Sequence, residues 1–588
     1  MNIFKFYKKI FGEAILDIAK ENNIEISNIE KFSVEPTKDE KNGDIACNAA
    51  MVLLGDFKRV SELNNPRKLA ESILAKIDDT FILKTEIAGP GFINIFLKDE
   101  IYQNIVLDLV NNEFEFPNIG NGEKINLEYA SPNPTGPIHV GHTRGSIYGD
   151  VLAKLLSKTG YDVLKEYYIN DAGSQINTLL KSAFLRYKEA CGENITIPEG
   201  LYPGEYLVAI GEKIKKEYGE SLLIEEQDEV LLKIRDFVVG EMVGVIKSDL
   251  LELGIEHDSY FFEKENLHDT NKIKSAIDEL RKQDLIYVGK LEIPKTQKGV
   301  GADTAQGYDD KDQTLFRSTK FGDDQDRVVI KSDGDYTYFA GDLAYTLSKF
   351  ERGATKFIMP LGFDHSGYVK RLTAATNALT NGKAELKIVL CQLVKFVKDG
   401  QPLKMSKRAG NFITAKEVID EVGADVLRFI MLTRKNDAPF DFDLAKVIEQ
   451  SKDNPIFYVQ YAHTRCCSIL RNLKEEGVEF SDKASLAIIK NLNQKAEISL
   501  IKKIANFERT IEMATINFEP HRLAFYLQDL ASELHSLWSK GLEDPNLRFI
   551  IKGDLEKSQA KAFLAIATKK VIKIGLDIFN IKALEEMR

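Results

Sequence analysis

The sequence has few cysteines, and none of them lies at a metal-binding spacing. Five cysteines occur in 588 residues; Cys466 and Cys467 are adjacent, the others lie far apart, and there is no Cys-x-x-Cys pair. Structural zinc sites and disulfide frameworks use paired cysteines, so the pattern excludes both and predicts no metal held by the protein alone. Free thiols are typical of a reducing compartment, and we therefore expect a cytoplasmic protein.

Long apolar runs are also missing. No uncharged stretch approaches the roughly 20 apolar residues that cross a bilayer. The N-terminus reads Met-Asn-Ile-Phe-Lys-Phe-Tyr-Lys-Lys and lacks the apolar core and cleavage site of a signal peptide. We expect no membrane partner. The chain is too long for one core, and its length predicts about three to four domains.

An overall excess of positive charge, which nucleic-acid binding favours, is absent as well. The net charge is −11. The distribution is uneven, however, because residues 451–588 contain 21 Lys and Arg against 18 Asp and Glu. This asymmetry permits a basic docking surface in the C-terminal region.

A Rossmann-type unit is predicted from residue 124 onwards. Lys124–Ala130 has the pattern of a strand, and a loop rich in Pro and Gly leads into a helix whose Ile147 and Val151 share one face. Gly160 ends the helix, and Tyr161–Ile169 resumes as a strand. Strand, helix and strand in succession predict a parallel, doubly wound sheet.

Other regions of the chain have different patterns. Alternation after Gly89-Pro-Gly91 predicts a strand, and a charged helical region of about 175–285 is expected to interrupt the parallel sheet. Further strands are predicted at about 286–298 and 327–339, Tyr336–Ala340, Lys356–Leu361 and Leu386–Val397. Only helices are predicted beyond residue 450. The expected domains are 1–115, 116–450 with an insertion around 175–330, and 451–588.

The first chemical signal is His139-Val-Gly-His142, between the first strand and its helix. A helix N-terminus at the carboxyl edge of a parallel sheet offers N–H groups and a positive dipole to phosphate. Gly141 allows a nucleotide to approach the backbone, and the histidines can donate hydrogen bonds to phosphate oxygens. We predict that His139, Gly141 and His142 bind ATP, with catalytic roles for both histidines.

The second signal is Lys404-Met-Ser-Lys-Arg408. It precedes a helix opened by Thr414 and Glu417, which have the spacing of a capping box. Lysine ammonium groups can neutralise the β- and γ-phosphates as pyrophosphate leaves, so catalytic roles are predicted for the two lysines. The residues assigned to catalysis or ATP binding here are Lys404, Met405, Ser406 and Lys407.

Together the two signals resemble the nucleotide signatures of class I aminoacyl-tRNA synthetases, His-(Ile/Val/Leu)-Gly-His and Lys-Met-Ser-Lys-Ser. Arg408 stands in place of the final serine. The resemblance implies a multidomain α/β protein with a Rossmann-type parallel-sheet catalytic domain, an α+β N-terminal domain and an all-α C-terminal anticodon-binding domain. It also implies ATP and Mg²⁺ as cofactors.

Several further blocks are similar to the arginyl-tRNA synthetase family in particular. They are Glu128–Pro137, Tyr167–Gly173, Gly322–Gly334, Gly362–Gly367 and Asn454–His463. Some relatives carry a lysine at the position of Gly136, which compensates for a degenerate lysine signature. This chain has glycine there and keeps Lys404 and Lys407, which is consistent with the resemblance. The similarity covers essentially the whole chain. It implies ligation of L-arginine to tRNA(Arg) through an arginyl-adenylate that forms only when tRNA is bound.

A guanidinium offers five donors in one plane and keeps its charge, so its pocket needs carboxylates and planar acceptors. Glu128 and Asp342 both lie at predicted strand ends. By the resemblance, Tyr338 and Asp342 hold the arginine side chain, while Asn133 and Glu128 hold its α-amino and carboxylate region or its side chain. His365 falls near a family position where glutamine also occurs.

Contacts with tRNA are expected in two regions of the chain. The C-terminal helices resemble the family's anticodon-binding domain, where aromatic and basic side chains can stack on or contact unpaired bases. The candidates are Tyr458, Tyr461, His463 and Arg465. The N-terminal domain resembles the module that touches the tRNA elbow, and Asn94 is the first residue there to test. A monomer is expected.

Three other functions share part of this pattern. One is a class I synthetase for another amino acid, although glutamate and glutamine enzymes need a cationic pocket and the cysteine enzyme needs a zinc site. Small-molecule nucleotidyltransferases share the histidine signature, but they are usually much shorter and have no reason to carry a helical C-terminal third. The third is a non-catalytic tRNA-binding relative, and the intact histidine and lysine signatures argue against it.

Overall fold

A computed structural model describes residues 2–291, 311–398, 401–402, 413–449, 454–480 and 483–587. The lysine segment Lys404–Arg408 lies outside these residues, so the roles predicted for it stay predictions. The strands are β1 (Val34–Pro36), β2 (Ile45–Cys47), β3 (Ile82–Ala88), β4 (Phe92–Leu97), β5 (Lys124–Glu128), β6 (Asp162–Ile169), β7 (Ser259–Phe262), β8 (Ile286–Gly289), β9 (Gln313–Phe316), β10 (Arg327–Ile330), β11 (Lys356–Gly362), β12 (Glu385–Cys391), β13 (Val394–Lys398), β14 (Gln401–Pro402) and β15 (Phe440–Asp443).

The α-helices alternate with these strands and then continue alone. They are α1 (Ile3–Glu21), α2 (Ala49–Val52), α3 (Leu54–Phe57), α4 (Pro66–Ala75), α5 (Asp99–Asn111), α6 (Thr143–Lys158), α7 (Ser174–Ala190), α8 (Tyr206–Tyr218), α9 (Gln227–Glu252), α10 (Lys272–Lys282), α11 (Tyr338–Glu351), α12 (Val369–Thr380), α13 (Ala415–Val422), α14 (Ala424–Met431), α15 (Leu444–Val447), α16 (Pro455–Glu475), α17 (Leu486–Ile489), α18 (Lys495–Ala505), α19 (Phe507–Ile516), α20 (His521–Glu543) and α21 (Leu555–Ile578). None of the helices within the described ranges is long and apolar enough to span a membrane.

The N-terminal region contains an antiparallel sheet in the order β1-β2-β4-β3. The strand predicted after Gly89-Pro-Gly91 is confirmed as β4, whose Ile93 and Ile95 are buried. Gly91 has a φ of +151°, and a Cβ there would lie 2.8 Å from the Cβ of Pro66. Only glycine fits this turn without moving α4.

The central sheet is parallel throughout, in the order β12-β11-β5-β6-β7. β5 is almost fully buried, as expected for a strand covered on both faces. From β5 the chain proceeds to β6 and β7 on one side, whereas β11 and β12 lie on the other. The order therefore switches between β5 and β11, and ligands of such sheets bind outside the carboxyl ends of the strands at this point.

The predicted strand at Tyr336–Ala340 is wrong. Thr337 caps a helix there by accepting the N–H of Ala340, and α11 begins at Tyr338. Its buried Phe339, Leu343 and Leu347 follow at helical spacing, which a short aromatic run does not distinguish from strand alternation. Asp342 consequently lies in the second turn of a helix rather than after a strand.

The helical region at about 175–285 does not simply interrupt the sheet, because it contains β7. This strand pairs parallel to β6, so α7, α8 and α9 form the crossover between two neighbouring strands.

The single strand predicted at Leu386–Val397 is in fact two, β12 and β13, separated at Gln392–Leu393. β8, β9 and β10 form a small antiparallel sheet of their own.

A second small sheet, β14-β13-β15, leads to the helical C-terminal region. As predicted, the described residues beyond 454 contain helices and no strand. One continuous apolar core runs through the N-terminal sheet, the parallel sheet and these helices.

Candidate active site and RNA-binding surface

Two histidine rings are stacked at the N-terminus of α6. A 3₁₀ turn, Val140–His142, joins the loop after β5 to this helix, and Nδ1 of His139 accepts the N–H of Gly141 at 3.1 Å. The ring centroids of His139 and His142 lie 3.6 Å apart, with the planes inclined by 27°. The two predicted histidines therefore meet where N–H groups and the helix dipole favour phosphate.

Glycine at position 141 is required by the neighbouring ring. A Cβ at this position would lie 2.8 Å from Cε1 and 2.9 Å from Nδ1 of His139, closer than packed side chains allow. Any other residue would displace the His139 ring from its stack. The structure thus adds a second reason for Gly141 besides close approach of a nucleotide.

The histidine segment pairs with the chain just beyond the lysine segment. The N–H of Val140 donates to the carbonyl of Ile413 at 3.0 Å, and the N–H of Ala415 donates to the carbonyl of Ile138 at 2.8 Å. His139 and Thr414 face each other in an antiparallel bridge. The predicted capping box of Thr414 and Glu417 is present. Backbone pairing therefore holds residues 413–415, which follow the lysine segment in the sequence, beside His139.

Three carboxylates converge at the carboxyl edge of the parallel sheet. Glu128 ends β5, Glu263 directly follows β7, and Asp342 lies in α11. Burial, and then the charges of Glu128 and Glu263, raise the pKa of Asp342 to about 7, while Arg371 and Lys349 oppose the shift. Sequence reasoning found Glu128 and Asp342 but missed Glu263, because β7 lay unrecognised within a helical region.

Glu128 already has a cationic partner. The buried Lys349 of α11 places Nζ 2.5 Å from Oε2 of Glu128. Glu166, its neighbour across β5 and β6, accepts hydrogen bonds from Asn126 and Arg352. Burial alone would raise the pKa of Glu166. The hydrogen bonds from Arg352 and the charge of Lys349 instead hold this pKa at about 2. Glu166 is therefore paired with a cation, whereas the pKa of Asp342 stays raised despite Arg371 and Lys349.

The other predicted arginine-pocket residues are spread along the same edge. Tyr338 is exposed at the first position of α11, one turn before Asp342. Asn133 lies in the loop after β5 and donates from Nδ2 to Oε1 of Gln175 at 3.0 Å. His365 lies in a 3₁₀ turn that follows β11, the strand across the switch point from β5.

Two of the predicted tRNA contacts are buried. Asn94 lies in the inner strand β4, between Ala46 of β2 and Glu86 of β3. Nδ1 of His463 lies 2.7 Å from the carbonyl of Leu584, against the C-terminal segment. Both roles stay predictions, and RNA contact at either side chain would require the covering chain to move.

Tyr461 and Arg465, in contrast, belong to an aromatic cluster at the surface of α16 and α20. The Arg465 guanidinium lies over the rings of Tyr461 and Trp538, at 4.6 and 4.9 Å from their centroids, and donates to Nδ1 of His535 at 2.6 Å. Burial, and then the charge of Arg465, lower the pKa of His535 to about 4. Because arginine only donates, His535 is a neutral acceptor that fixes the cation in place. The ring of Tyr458 packs on His535 at 4.5 Å.

Four family models match successive parts of the chain. They are the arginyl tRNA synthetase N terminal domain at residues 5–97, the catalytic domain of class I (R) tRNA synthetases at 105–291, class I (I, L, M and V) tRNA synthetases at 340–443, and the DALR anticodon binding domain at 459–587.

Full-length relatives and solved structures agree with these matches. An arginine–tRNA ligase from Brucella anthropi is 48% identical over 596 residues, which covers 100% of both chains. The arginyl-tRNA synthetase structures from Thermus thermophilus and Plasmodium falciparum are each 18% identical, with TM-scores of 0.72 and 0.73. The match to the Thermus structure covers 99% of this chain and 100% of that one. The match to the Plasmodium structure covers 100% of this chain and 99% of that one. Both matches show the shared fold. The chain belongs to the arginyl-tRNA synthetase family of class I aminoacyl-tRNA synthetases.

Proposed function

We propose that this protein ligates L-arginine to tRNA(Arg) with consumption of ATP, through an arginyl-adenylate, and releases AMP and pyrophosphate. One observation carries the proposal: a stacked histidine pair at a helix N-terminus shares a sheet edge with three carboxylates. The first element suits a triphosphate, and the second suits a permanent cation. Arginine and ATP therefore meet at the switch point between β5 and β11.

In the first step the arginine carboxylate attacks the α-phosphate in line and displaces pyrophosphate. The protein contributes positioning and charge stabilisation, and no covalent protein intermediate is needed. His139 and His142 donate to phosphate oxygens, together with Lys404 and Lys407. Mg²⁺ accompanies ATP and neutralises phosphate charge when bound. A ribose hydroxyl of the terminal adenosine of tRNA then attacks the acyl carbon of the adenylate, which forms the ester and breaks the acyl–phosphate bond to release AMP.

Selection of arginine depends on how far neighbouring cations neutralise each of the three carboxylates. Glu128 is paired with Lys349, so Asp342 and Glu263 carry the charge available to a guanidinium. Tyr338, one turn before Asp342, lies where its ring can cover the same group. Asn133 and Glu128 hold the α-amino and carboxylate region of the substrate or its side chain, with His365 at the neighbouring strand end.

The remaining assignments concern tRNA and the state of the protein. The domains are 1–115 for the tRNA elbow, with Asn94, 116–450 for catalysis and 451–588 for the anticodon. Tyr461 is 41% exposed and can contact an unpaired base, and Arg465 supplies charge beside it. The protein acts as a monomer in the cytoplasm.

The main competing function is a class I synthetase for another amino acid. Incubation of the protein with ATP, total tRNA and each labelled amino acid in turn, followed by acid precipitation, distinguishes them. Only arginine is expected to become precipitable. Precipitation of another amino acid instead would overturn the assignment. Omitting tRNA and following pyrophosphate exchange tests whether adenylate formation needs tRNA.

The lysine segment has its own test. Lys407→Ala is expected to lower the charging rate by orders of magnitude while the circular dichroism spectrum and melting temperature stay unchanged. Unchanged turnover would remove Lys407 from the mechanism.

A further inference from the structure

A buried arginine joins the histidine helix to the small sheet from which the lysine segment departs. Arg144, in the first turn of α6, is only 3% exposed. Its Nη1 donates to the carbonyls of Gln392 at 3.1 Å and Ala438 at 2.9 Å, and its Nη2 donates to that of Lys435 at 2.8 Å.

The three acceptors precede the two parallel strands of that sheet. Gln392 lies just before β13, and residues 435–438 lie just before β15. The N–H of Gln392 also donates to the carbonyl of Asn436 at 2.8 Å, and Nδ2 of Asn436 donates to the carbonyl of Leu390 at 2.9 Å. Arg144 therefore anchors a junction through which both strands enter the sheet.

The chain enters the lysine segment from β13 and β14, and it returns to the histidine segment through the pairing of residues 413–415 with 138–140. Entry and exit are thus both tied to residues 138–144. One attachment is backbone pairing, and the other is the guanidinium of Arg144.

We propose that Arg144 is a positioning residue for the nucleotide step: it holds the β13–β15 sheet in register with the histidine pair. A buried charge whose hydrogen bonds go only to carbonyls is costly, and it needs all of them to remain in place. Its planar fork places two nitrogens among three carbonyls, which a single ammonium cannot reproduce. The three carboxylates lie on or beside other elements, β5, β7 and α11.

The test is steady-state charging with saturating tRNA by Arg144→Lys and Arg144→Met. R144M is expected to raise the KM for ATP and to lower kcat by about 100-fold, since a displacement of about 1 Å costs that much. The KM for arginine should stay within about twofold, because its pocket lies elsewhere. R144K keeps the charge and should fall between. A purely structural role would lower kcat in proportion to unfolded protein and leave both KM values unchanged.

Arg428→Lys is the matched control. Arg428 is 1% exposed and ties the same helix α6, through Asp150, to the carbonyls of Leu253 and Phe579, without touching β13 or β15. R428K should lower the melting temperature and leave the KM for ATP unchanged. If R144M does not fold, Asn436→Ala loosens the same junction and should raise the KM for ATP. An unchanged KM for ATP in both R144K and N436A, or an equal rise in R428K, would overturn the proposal.

Discussion

Nζ of Lys349 lies 2.5 Å from Oε2 of Glu128, and both side chains are largely buried. Removal of one member of such a pair leaves an uncompensated charge, which costs about 3–5 kcal/mol. Lys349→Met is therefore expected to lower the free energy of unfolding by that amount in urea denaturation. Adding Glu128→Gln to the variant should recover much of the loss, because the unpaired charge is then gone.

The surface pair of Lys272 and Glu351 provides the control for that prediction. Its atoms are also 2.5 Å apart, and Glu351 ends the same helix, but both side chains are exposed. Lys272→Met should cost less than about 1 kcal/mol. Similar losses for K272M and K349M would mean that burial does not set the strength of the Glu128 pair.

Arginine binding should depend on pH through Asp342. The pKa of this carboxyl is raised to about 7, by burial and by Glu128 and Glu263, against Arg371 and Lys349. A bound guanidinium favours the carboxylate, so binding below this pH must release a proton. The KM for arginine is expected to rise about tenfold for each pH unit below about 7. Asp342→Asn should show a high KM that is constant across this range, whereas a constant wild-type KM would exclude Asp342 as the titrating group.

The same carboxyl should destabilise the free protein at neutral and alkaline pH. Because the folded-state pKa of Asp342 lies above its ordinary value, the folded protein binds this proton more tightly than the unfolded chain. The stability contributed by the proton is present below about pH 4 and is lost as the pH rises to about 7. Asp342→Asn should therefore be more stable than wild type at about pH 8 and differ little from it at about pH 4. The gain at the higher pH is about 1.4 kcal/mol for every tenfold difference in proton affinity between the folded and unfolded states. Urea denaturation at both pH values measures this, and equal stability at the higher pH would contradict it.

The central unit of the fold was predictable because its signals are local. The β5–α6–β6 unit and the capping box at Thr414 follow from periodicity and from side chains within one turn of each other. Asp342 and Glu128 were predicted from the carboxylates that a guanidinium needs, from predicted strand ends and from the family resemblance. Their positions relative to the strands were only partly right, since Tyr336–Ala340 is a short aromatic run that fits either period.

The features that could not be predicted from the sequence depend on contacts between distant segments. β7 has four residues within a long helical stretch, and only pairing with β6 identifies it, so Glu263 went unnoticed. Burial of Lys349 and Arg144 is likewise invisible locally, because lysine and arginine are usually exposed. The stacking of the histidine rings requires the backbone turn that the fold imposes.

Gly141 should be intolerant of any side chain. Gly141→Ala places a Cβ 2.8 Å from the His139 ring and is expected to unstack the histidines, with kcat lowered by about 100-fold. Gly145→Ala, in the helix α6 that follows this turn, is the control, because a Cβ there meets nothing within 4 Å. It should keep full activity and gain up to about 1 kcal/mol of stability. Normal charging by G141A would show that the stacked arrangement is dispensable.

Tyr461 should contribute to tRNA affinity without affecting the chemistry. It is 41% exposed, its ring carries the Arg465 guanidinium on one side, and base stacking on such a ring contributes about 1–3 kcal/mol. Tyr461→Ala is therefore expected to raise the KM for tRNA between about 5- and 150-fold while the KM values for ATP and arginine stay constant. Phe525→Ala, at a similarly exposed aromatic residue of α20 outside the cluster, controls for general loss of apolar surface, since Phe525 is 44% exposed. An equal effect of the two substitutions would mean that the cluster of Tyr461, Arg465 and Trp538 has no special part in holding the RNA.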